Sequence, residues 1–239
     1  MNDTPIHELL TLAHRLGNHP ARLALWNEGT VAAALPDGKI ATTAIGASLA
    51  TLAVDDIVEY DRARVLALTA QDDVTEDDLL EARVEEGSAA PPCADLFPYA
   101  ELLAFEGANF AAHTQPIAIN QIICSPRARQ FADRRNLPYE ITLCGSASVL
   151  VPFTPPGPAM AREMKRKIAL WQDRYKGTPK VILLQNHGMI TLGESVDEVM
   201  MVTEMTLKFA EIFLGAAMMG GPEFLKPIHV SLIEATRMV

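Results

Sequence analysis

The sequence has little cysteine and a deficit of positive charge. Its three cysteines, Cys93, Cys124 and Cys144, are an odd number without close spacing, which excludes a disulfide framework and a zinc knuckle. They are typical of small buried side chains in a reducing compartment. The 20 Lys and Arg against 30 Asp and Glu give a net charge of −10. A nucleic-acid partner is not expected, because such binding depends on clustered cations that neutralise phosphates.

Long apolar runs are also missing. The most apolar-rich stretch, 196–219, carries roughly one charge per helical turn, which is too many for a membrane span. The chain does not open on a secretory leader, so we expect a cytoplasmic protein without a membrane partner. Because 49% of the residues are apolar and 21% charged, a disordered chain is excluded. We expect residues 1–239 to form a single domain.

Several short catalytic motifs are absent. There is no GxGxxG or GxxxxGK[ST] loop to hold a nucleotide phosphate. There is also no GxSxG nucleophile turn and no HExxH zinc helix. Dinucleotide-binding, P-loop, serine hydrolase and zincin functions therefore have no local support.

Periodicity predicts alternating strands and helices. The predicted helices are 5–16, 95–105, 117–123, 127–134, 159–175 and one that begins after Ser195. The predicted strands are 30–34, 39–43, 57–60, 64–68, 109–113, 140–144, 148–153, 181–184 and 189–192. Residues 71–90 are expected to form an internal loop with a short helix. The irregular order and the opening hairpin favour an α/β or α+β fold with a mixed or largely antiparallel sheet.

Two of the six histidines, His113 and His187, lie at the ends of predicted strands. Alternation along an extended chain places His113 and Gln115 on one face. His187 follows the strand 181–184 and precedes Gly188. Histidines at two strand ends of one sheet can converge on a metal ion. The alternative is that both are hydrogen-bonded polar residues at the sheet edge.

The segments around these histidines resemble the class II aldolase/adducin family. They are Ala-Ala-His-Thr-Gln-Pro at 111–116 and Leu-Leu-Gln-Asn-His-Gly-Met-Ile-Thr-Leu-Gly at 183–193. The resemblance implies a three-layer α/β/α fold with a central, mostly antiparallel mixed sheet. It also implies a homotetramer and one divalent metal, zinc above others, at His113, His187 and Gln115. The implied ligand is a small carbonyl or sugar-like molecule, with Gly29, Thr30 and Gly46 in the binding site.

The chain departs from the family pattern at three places. Gln115 stands where the family has a second histidine, and an amide oxygen is a poorer zinc ligand than imidazole. Ala94 stands where the family has its catalytic glutamate. The segments that match the family's phosphate clamp, 29–30, 45–46 and 92–93, have lost most of their hydroxyl and amide donors. Asp95 and Glu101 are the carboxylates that could replace the missing base.

Two functions remain open from the sequence. The first is a divergent family member without ordinary sugar-phosphate aldolase activity, which binds a divalent metal or a small carbonyl ligand. The second is a working metal-dependent lyase, either an aldolase, an epimerase or a decarboxylase, on a small and unphosphorylated carbonyl substrate.

Overall fold

The computed structural model describes residues 4–71, 73–84 and 90–237. In these ranges the chain forms seven strands and ten α-helices. The strands are β1 Thr30–Ala34, β2 Lys39–Thr43, β3 Ile57–Asp61, β4 Phe110–Thr114, β5 Val149–Val151, β6 Val181–Leu184 and β7 Gly188–Gly193. The helices are α1 Thr4–Gly17, α2 Arg62–Thr69, α3 Glu76–Ala82, α4 Leu96–Leu102, α5 Ile117–Ile123, α6 Ala128–Asp133, α7 Pro138–Cys144, α8 Pro158–Gln172, α9 Val196–Met218 and α10 Pro227–Arg237.

All seven strands join one sheet in the order β3-β2-β1-β4-β7-β6-β5. Every pair is antiparallel except β5 with β6, which is parallel. The opening hairpin, β1 with β2, turns at 36–38, where Asp37 and Gly38 both have positive φ angles. The predicted mixed, mostly antiparallel sheet is therefore confirmed.

Helices cover both faces of the sheet, so the predicted three-layer α/β/α architecture is confirmed. Alternate residues of β6 point to opposite faces: Val181 and Leu183 belong to one apolar cluster, and Ile182 and Leu184 to the other. The first cluster includes residues of α1, α5, α6, α7 and α9. The second includes residues of α2, α3, α4 and α8. A strand buried on both faces is apolar throughout, as the sequence of β6 is.

Two predicted strands are helices. Residues 64–68 lie in α2, which begins where the Asp61 side chain accepts a hydrogen bond from the Arg64 N–H. Residues 140–144 lie in α7, which has Pro138 in its first turn. In α7 the buried apolar residues, Ile141 and Cys144, are three apart, which is helical spacing. Short apolar runs do not distinguish helix from strand by periodicity. The start signals lay outside the runs: Asp61 caps α2, and Pro138 stands in the first turn of α7.

The predicted short helix inside 71–90 is α3. It begins with a capping box, in which Thr75 and Asp78 bond reciprocally to each other's backbone N–H. Within this predicted loop, residues 72 and 85–89 lie outside the described residues. No described helix combines the length and apolarity needed to cross a membrane.

The strand register places the predicted site residues at one end of the strands, along one side of the sheet. Thr30 at the start of β1 is opposite His113 near the end of β4, and His113 is opposite Ile190 of β7. Leu184, which ends β6, is opposite Gly188, which begins β7. We call this the site edge. The starts of β5 and β6 lie at the other end of the strands, which we call the far edge.

Candidate active site

His113 is held by a carboxylate from the neighbouring helix layer. Its side chain points toward α4, and its Nδ1 lies 2.8 Å from Oδ2 of Asp95. Asp95 occupies the position before α4 but makes no capping bond with its side chain. Both residues are buried, at 3% and 6% exposure. The carboxylate therefore serves the histidine instead of the helix end.

Thr30 and Tyr99 complete a buried hydrogen-bond network around this pair. The Thr30 hydroxyl donates to Oδ2 of Asp95 at 2.6 Å. The Tyr99 hydroxyl donates to the Thr30 carbonyl at 2.9 Å and accepts the backbone N–H of His113, also at 2.9 Å. Tyr99 thus fixes the β1 and β4 backbones together, and Thr30 fixes the carboxylate that orients His113.

The charge of Asp95 determines the tautomer of His113. Burial alone would raise the pKa of Asp95, but the charge of His113 and hydrogen bonds from His113 and Thr30 outweigh it and lower the pKa. An ionised carboxylate only accepts hydrogen bonds, so the proton of His113 lies on Nδ1. The lone pair of a neutral His113 is then on Nε2.

Nε2 of His113 is a buried atom without a hydrogen-bond partner among the described residues. It faces Gly188, where an added Cβ would lie 2.7 Å from Nε2 and 2.7 Å from the Thr114 carbonyl oxygen. Only glycine therefore leaves room at this position. A buried polar atom without a partner is costly, and such an atom is frequently explained by an absent ion or ligand.

The ring of His187 lies against the ring of His113. Its ring and that of His113 meet edge to face, with centroids 4.7 Å apart and planes at 86°. The preceding residue, Asn186, has a φ of 60°, a left-handed conformation that asparagine tolerates. Burial, and next the charge of His113, lower the pKa of His187. His187 is therefore neutral at pH 7 and has a lone pair to donate.

The donor set fits a divalent metal with two strong ligands and one weak one. Imidazole nitrogens suit zinc, and a carboxylate bonded to the other ring nitrogen, as Asp95 is to Nδ1 of His113, is the usual partner of a ligating histidine. Gln115 is close, because its Cγ lies 3.2 Å from the Cβ position built on Gly188. Within the described ranges no third His, Cys, Asp or Glu completes a metal group.

The other predicted site residues differ in whether they contact the two histidines. Glu101 pairs with Lys165 of α8 at 3.1 Å, and none of the contacts described joins it to either histidine. Gly29 is buried behind His113, with its built Cβ 3.0 Å from the His113 carbonyl oxygen. Gly46 has a φ of 77° and open space around it. The hydroxyl of Thr30 is committed to Asp95.

The sequence did not indicate two residues of the site. Tyr99 bonds the β1 and β4 backbones, and Gly188 leaves space beside Nε2 of His113. Tyr99 follows Asp95 by four residues, and this helical spacing could have indicated that both face one point. The close approach of Gly188 to Nε2 has no local signal, because it depends on the pairing of β4 with β7.

Comparison with known proteins identifies the family of the chain and the proteins that share its fold. A sequence model described as Class II Aldolase and Adducin N-terminal domain matches residues 7–214. No curated protein sequence matches significantly. The fold is similar to that of L-fuculose 1-phosphate aldolase, with a TM-score of 0.74, 15% identity, and coverage of 98% of this chain and 96% of that one. It is also similar to YgbL from Klebsiella pneumoniae, a candidate aldolase, epimerase or decarboxylase, with a TM-score of 0.73, 17% identity, and coverage of 98% and 99%.

The N-terminal class II aldolase domain of a conserved protein from Thermoplasma acidophilum is similar as well. Its TM-score is 0.68 with 20% identity, and the match covers 89% of this chain and 94% of that one. At these identities the structural likeness shows the fold, whereas the sequence model covers most of the chain, including both histidine segments. The chain belongs to the class II aldolase and adducin family.

Proposed function

We propose that this protein binds one divalent metal between His113 and His187 and holds a small, unphosphorylated carbonyl compound there, without ordinary sugar-phosphate aldolase activity. The observation that carries this proposal is the buried Nε2 of His113, which has no partner among the described residues, on a ring whose centroid lies 4.7 Å from that of His187. Zinc is the metal that two imidazoles favour. Gln115 would supply the third and weaker ligand.

Each residue of the network has a separate task in this proposal. When bound, the ion supplies positive charge that polarises a carbonyl group. Asp95 keeps the proton of His113 on Nδ1, so that Nε2 faces the ligand. Thr30 holds Asp95, and Tyr99 holds the two strands in register. Gly188 keeps the approach to Nε2 open.

The absence of sugar-phosphate aldolase activity rests on two features of this chain. Aldol cleavage needs a base beside the substrate, but Ala94 has no carboxylate, and the Asp95 carboxylate is buried and accepts from Thr30 and His113. The phosphate positions offer few donors, since Ile45 and Pro92 have none in their side chains and the Thr30 hydroxyl is committed. We expect no cleavage of fuculose, rhamnulose or ribulose phosphates above a metal-only control.

Turnover of the carbonyl ligand by a lyase-type reaction is the second candidate, and the engaged Asp95 favours decarboxylation among the options. Aldol cleavage and epimerisation both begin when a base removes a proton. A β-keto acid instead loses CO2 when its C–C bond breaks and the electron pair moves to the polarised carbonyl; water then returns a proton to the carbon. This reaction needs an electron sink, which an ion held by His113 and His187 would supply, and it needs no base.

Zinc titration of the metal-free protein tests the proposal. We expect about one ion per chain, at least tenfold weaker binding in His187→Ala, and no change in the control His229→Ala, whose histidine lies on α10. Gln115→His should bind zinc more tightly, because imidazole replaces an amide oxygen. A protein that binds no stoichiometric ion, or one in which His187→Ala binds as the wild type does, would refute the metal site.

Two wider features are part of the same proposal. We propose a cytoplasmic protein, supported by three free cysteines, and a homotetramer, supported by the family resemblance. Large apolar side chains are exposed around the site edge: Trp26 at 91%, Ile45 at 66% and Phe153 at 63%. Such side chains commonly lie in contacts between subunits.

A further inference from the structure

A cavity of about 800 Å³ lies at the far edge of the sheet, separate from the histidines. Its walls come from the segments before β5 and β6, the ends of α6, α7 and α8, and the helix α10. It is large enough for a nucleotide-sized ligand. The wall from α10, with Pro227, Val230 and Ser231, lies beyond residue 214, where the family match ends.

The charge of this cavity is opposite to that of the whole chain. Five cationic residues line it against two acidic ones, in a protein of net charge −10. The cations are Arg134, Arg135, Arg174, Lys176 and Lys180. The acids are Asp133 and Glu234. A cleft lined by one sign of charge concentrates ligands of the opposite sign.

Some of these charges are already compensated. Lys180 pairs with Glu198, and Asp133 pairs with Arg129 at 2.6 Å. Arg135 is buried and donates to Ser148 and to four backbone carbonyls, including that of Gly145 at 2.7 Å. Arg135 therefore builds the wall and is not available for a ligand.

Arg134 lies over the ring of Phe224, with its Cζ 4.8 Å from the ring centroid. Two of the five cations, Arg174 and Lys176, therefore remain for a ligand. The side chains of Arg174 and Lys176 are exposed, and no ion pair or hydrogen bond joins either to another described residue. Both follow α8, whose last turn carries Trp171, and Tyr175 lies between them in the chain. A guanidinium and an ammonium so close in sequence can neutralise one dianionic group, and the planar guanidinium suits phosphate oxygens.

An aromatic pair lies beside these cations. The rings of Trp171 and Tyr175 are 5.1 Å apart with planes at 33°, and the Trp171 indole donates to the Ala147 carbonyl at 3.2 Å. The indole is thus fixed on the cavity wall. We propose that this cavity binds a small organic phosphate, with Arg174 and Lys176 on the phosphate and the Trp171–Tyr175 pair against the apolar part.

Trp171 provides the readout for the test. The chain has two tryptophans, and the other one, Trp26, is 91% exposed, so Trp26→Phe leaves Trp171 as the single reporter. AMP is the probe, adenosine is its uncharged counterpart, and inorganic phosphate is the competitor. We expect saturable quenching by AMP, at least tenfold weaker affinity for adenosine, and displacement of AMP by phosphate.

The variant Arg174→Gln/Lys176→Gln in the Trp26→Phe background should bind AMP at least tenfold more weakly. Both side chains are exposed, so an unchanged thermal midpoint without ligand is expected. The matched control Arg166→Gln/Lys208→Gln removes the same charge from exposed positions outside the cavity and should bind AMP as before. Failure of AMP to bind, adenosine binding as tight as AMP, no displacement by phosphate, or equal affinity in both double variants would each overturn the proposal.

Discussion

At the scale of single residues, the site depends on which polar atoms already have hydrogen-bond partners and which have none. The Asp95 carboxylate accepts from His113 and Thr30, and the opposite ring nitrogen of His113 has no partner in the described structure. The Asp95 carboxylate thus orients a histidine and leaves the opposite ring nitrogen available.

Gly188→Ala tests the space in front of that nitrogen. The new methyl group would lie 2.7 Å from Nε2 of His113 and 2.7 Å from the Thr114 carbonyl oxygen, closer than van der Waals contact allows. Overpacking of this kind costs about 1–3 kcal/mol of stability. We expect a lower free energy of unfolding in urea and weaker zinc binding. Full zinc affinity in Gly188→Ala would show that the ion does not approach from this side.

The cysteines give a second prediction, which concerns reactivity and pH. Burial, and next the charge of Asp95, raise the pKa of Cys93 to about 11, and burial raises the pKa of Cys144. Because thiolate is the reactive form, both thiols stay protonated and inert at pH 8. Cys124 is exposed. A thiol-labelling reagent should modify one cysteine of the native protein and all three in denaturant, and rapid native labelling of Cys93 would contradict the packing around it.

At the scale of elements, close backbone contacts decide how helices meet their neighbours. α1 ends at Gly17 and packs on residues 49–51. A Cβ on Gly17 would lie 2.2 Å from the backbone nitrogen of Ala50. Backbone atoms cannot move aside as a flexible side chain can. This contact therefore requires glycine at position 17, although the φ angle of Gly17 is one that any residue could adopt.

Gly17→Ala and Gly215→Ala form a matched pair. Gly17→Ala should destabilise the protein by about 1–3 kcal/mol through overpacking. Gly215 is exposed inside α9 and has no atom within 4 Å of its built Cβ. Gly215→Ala should therefore stabilise the protein by about 0.5–1 kcal/mol, because alanine loses less backbone entropy in a helix. Urea unfolding of both variants measures the difference, and equal effects would contradict the α1 contact.

Element types were predictable where periodicity agreed with capping residues. Ser195 predicted the start of α9, and its hydroxyl does accept a hydrogen bond from the Glu198 N–H. The errors at α2 and α7 came from short apolar segments, in which helical and extended spacing look alike. In α2 the decisive residue, Asp61, lies outside the predicted strand and caps the helix.

At the scale of the whole molecule, exposed apolar groups at the site edge predict self-association. Trp26, Ile45 and Phe153 are more than half exposed, and burial of such side chains between subunits is favourable. Light scattering should give about four times the chain mass of 26.0 kDa. Trp26→Asp should reduce this mass, whereas Met218→Asp, at another exposed apolar position, serves as a control. A monomeric wild-type protein at micromolar concentration would contradict the tetramer.

The sequence by itself indicated the seven strands and the two histidines, because these depend on local periodicity and on short segments around His113 and His187. The resemblance of those segments to the family implied the three layers. Only the tertiary structure decided the partner of each histidine. Asp95 and His113 are 18 residues apart, and their contact requires α4 to pack on the face of β4 that carries His113. The far-edge cavity has the same origin, since α6, α8 and α10 contribute its walls from distant parts of the chain. Local patterns specify what each segment becomes, but the packing of layers specifies which side chains meet.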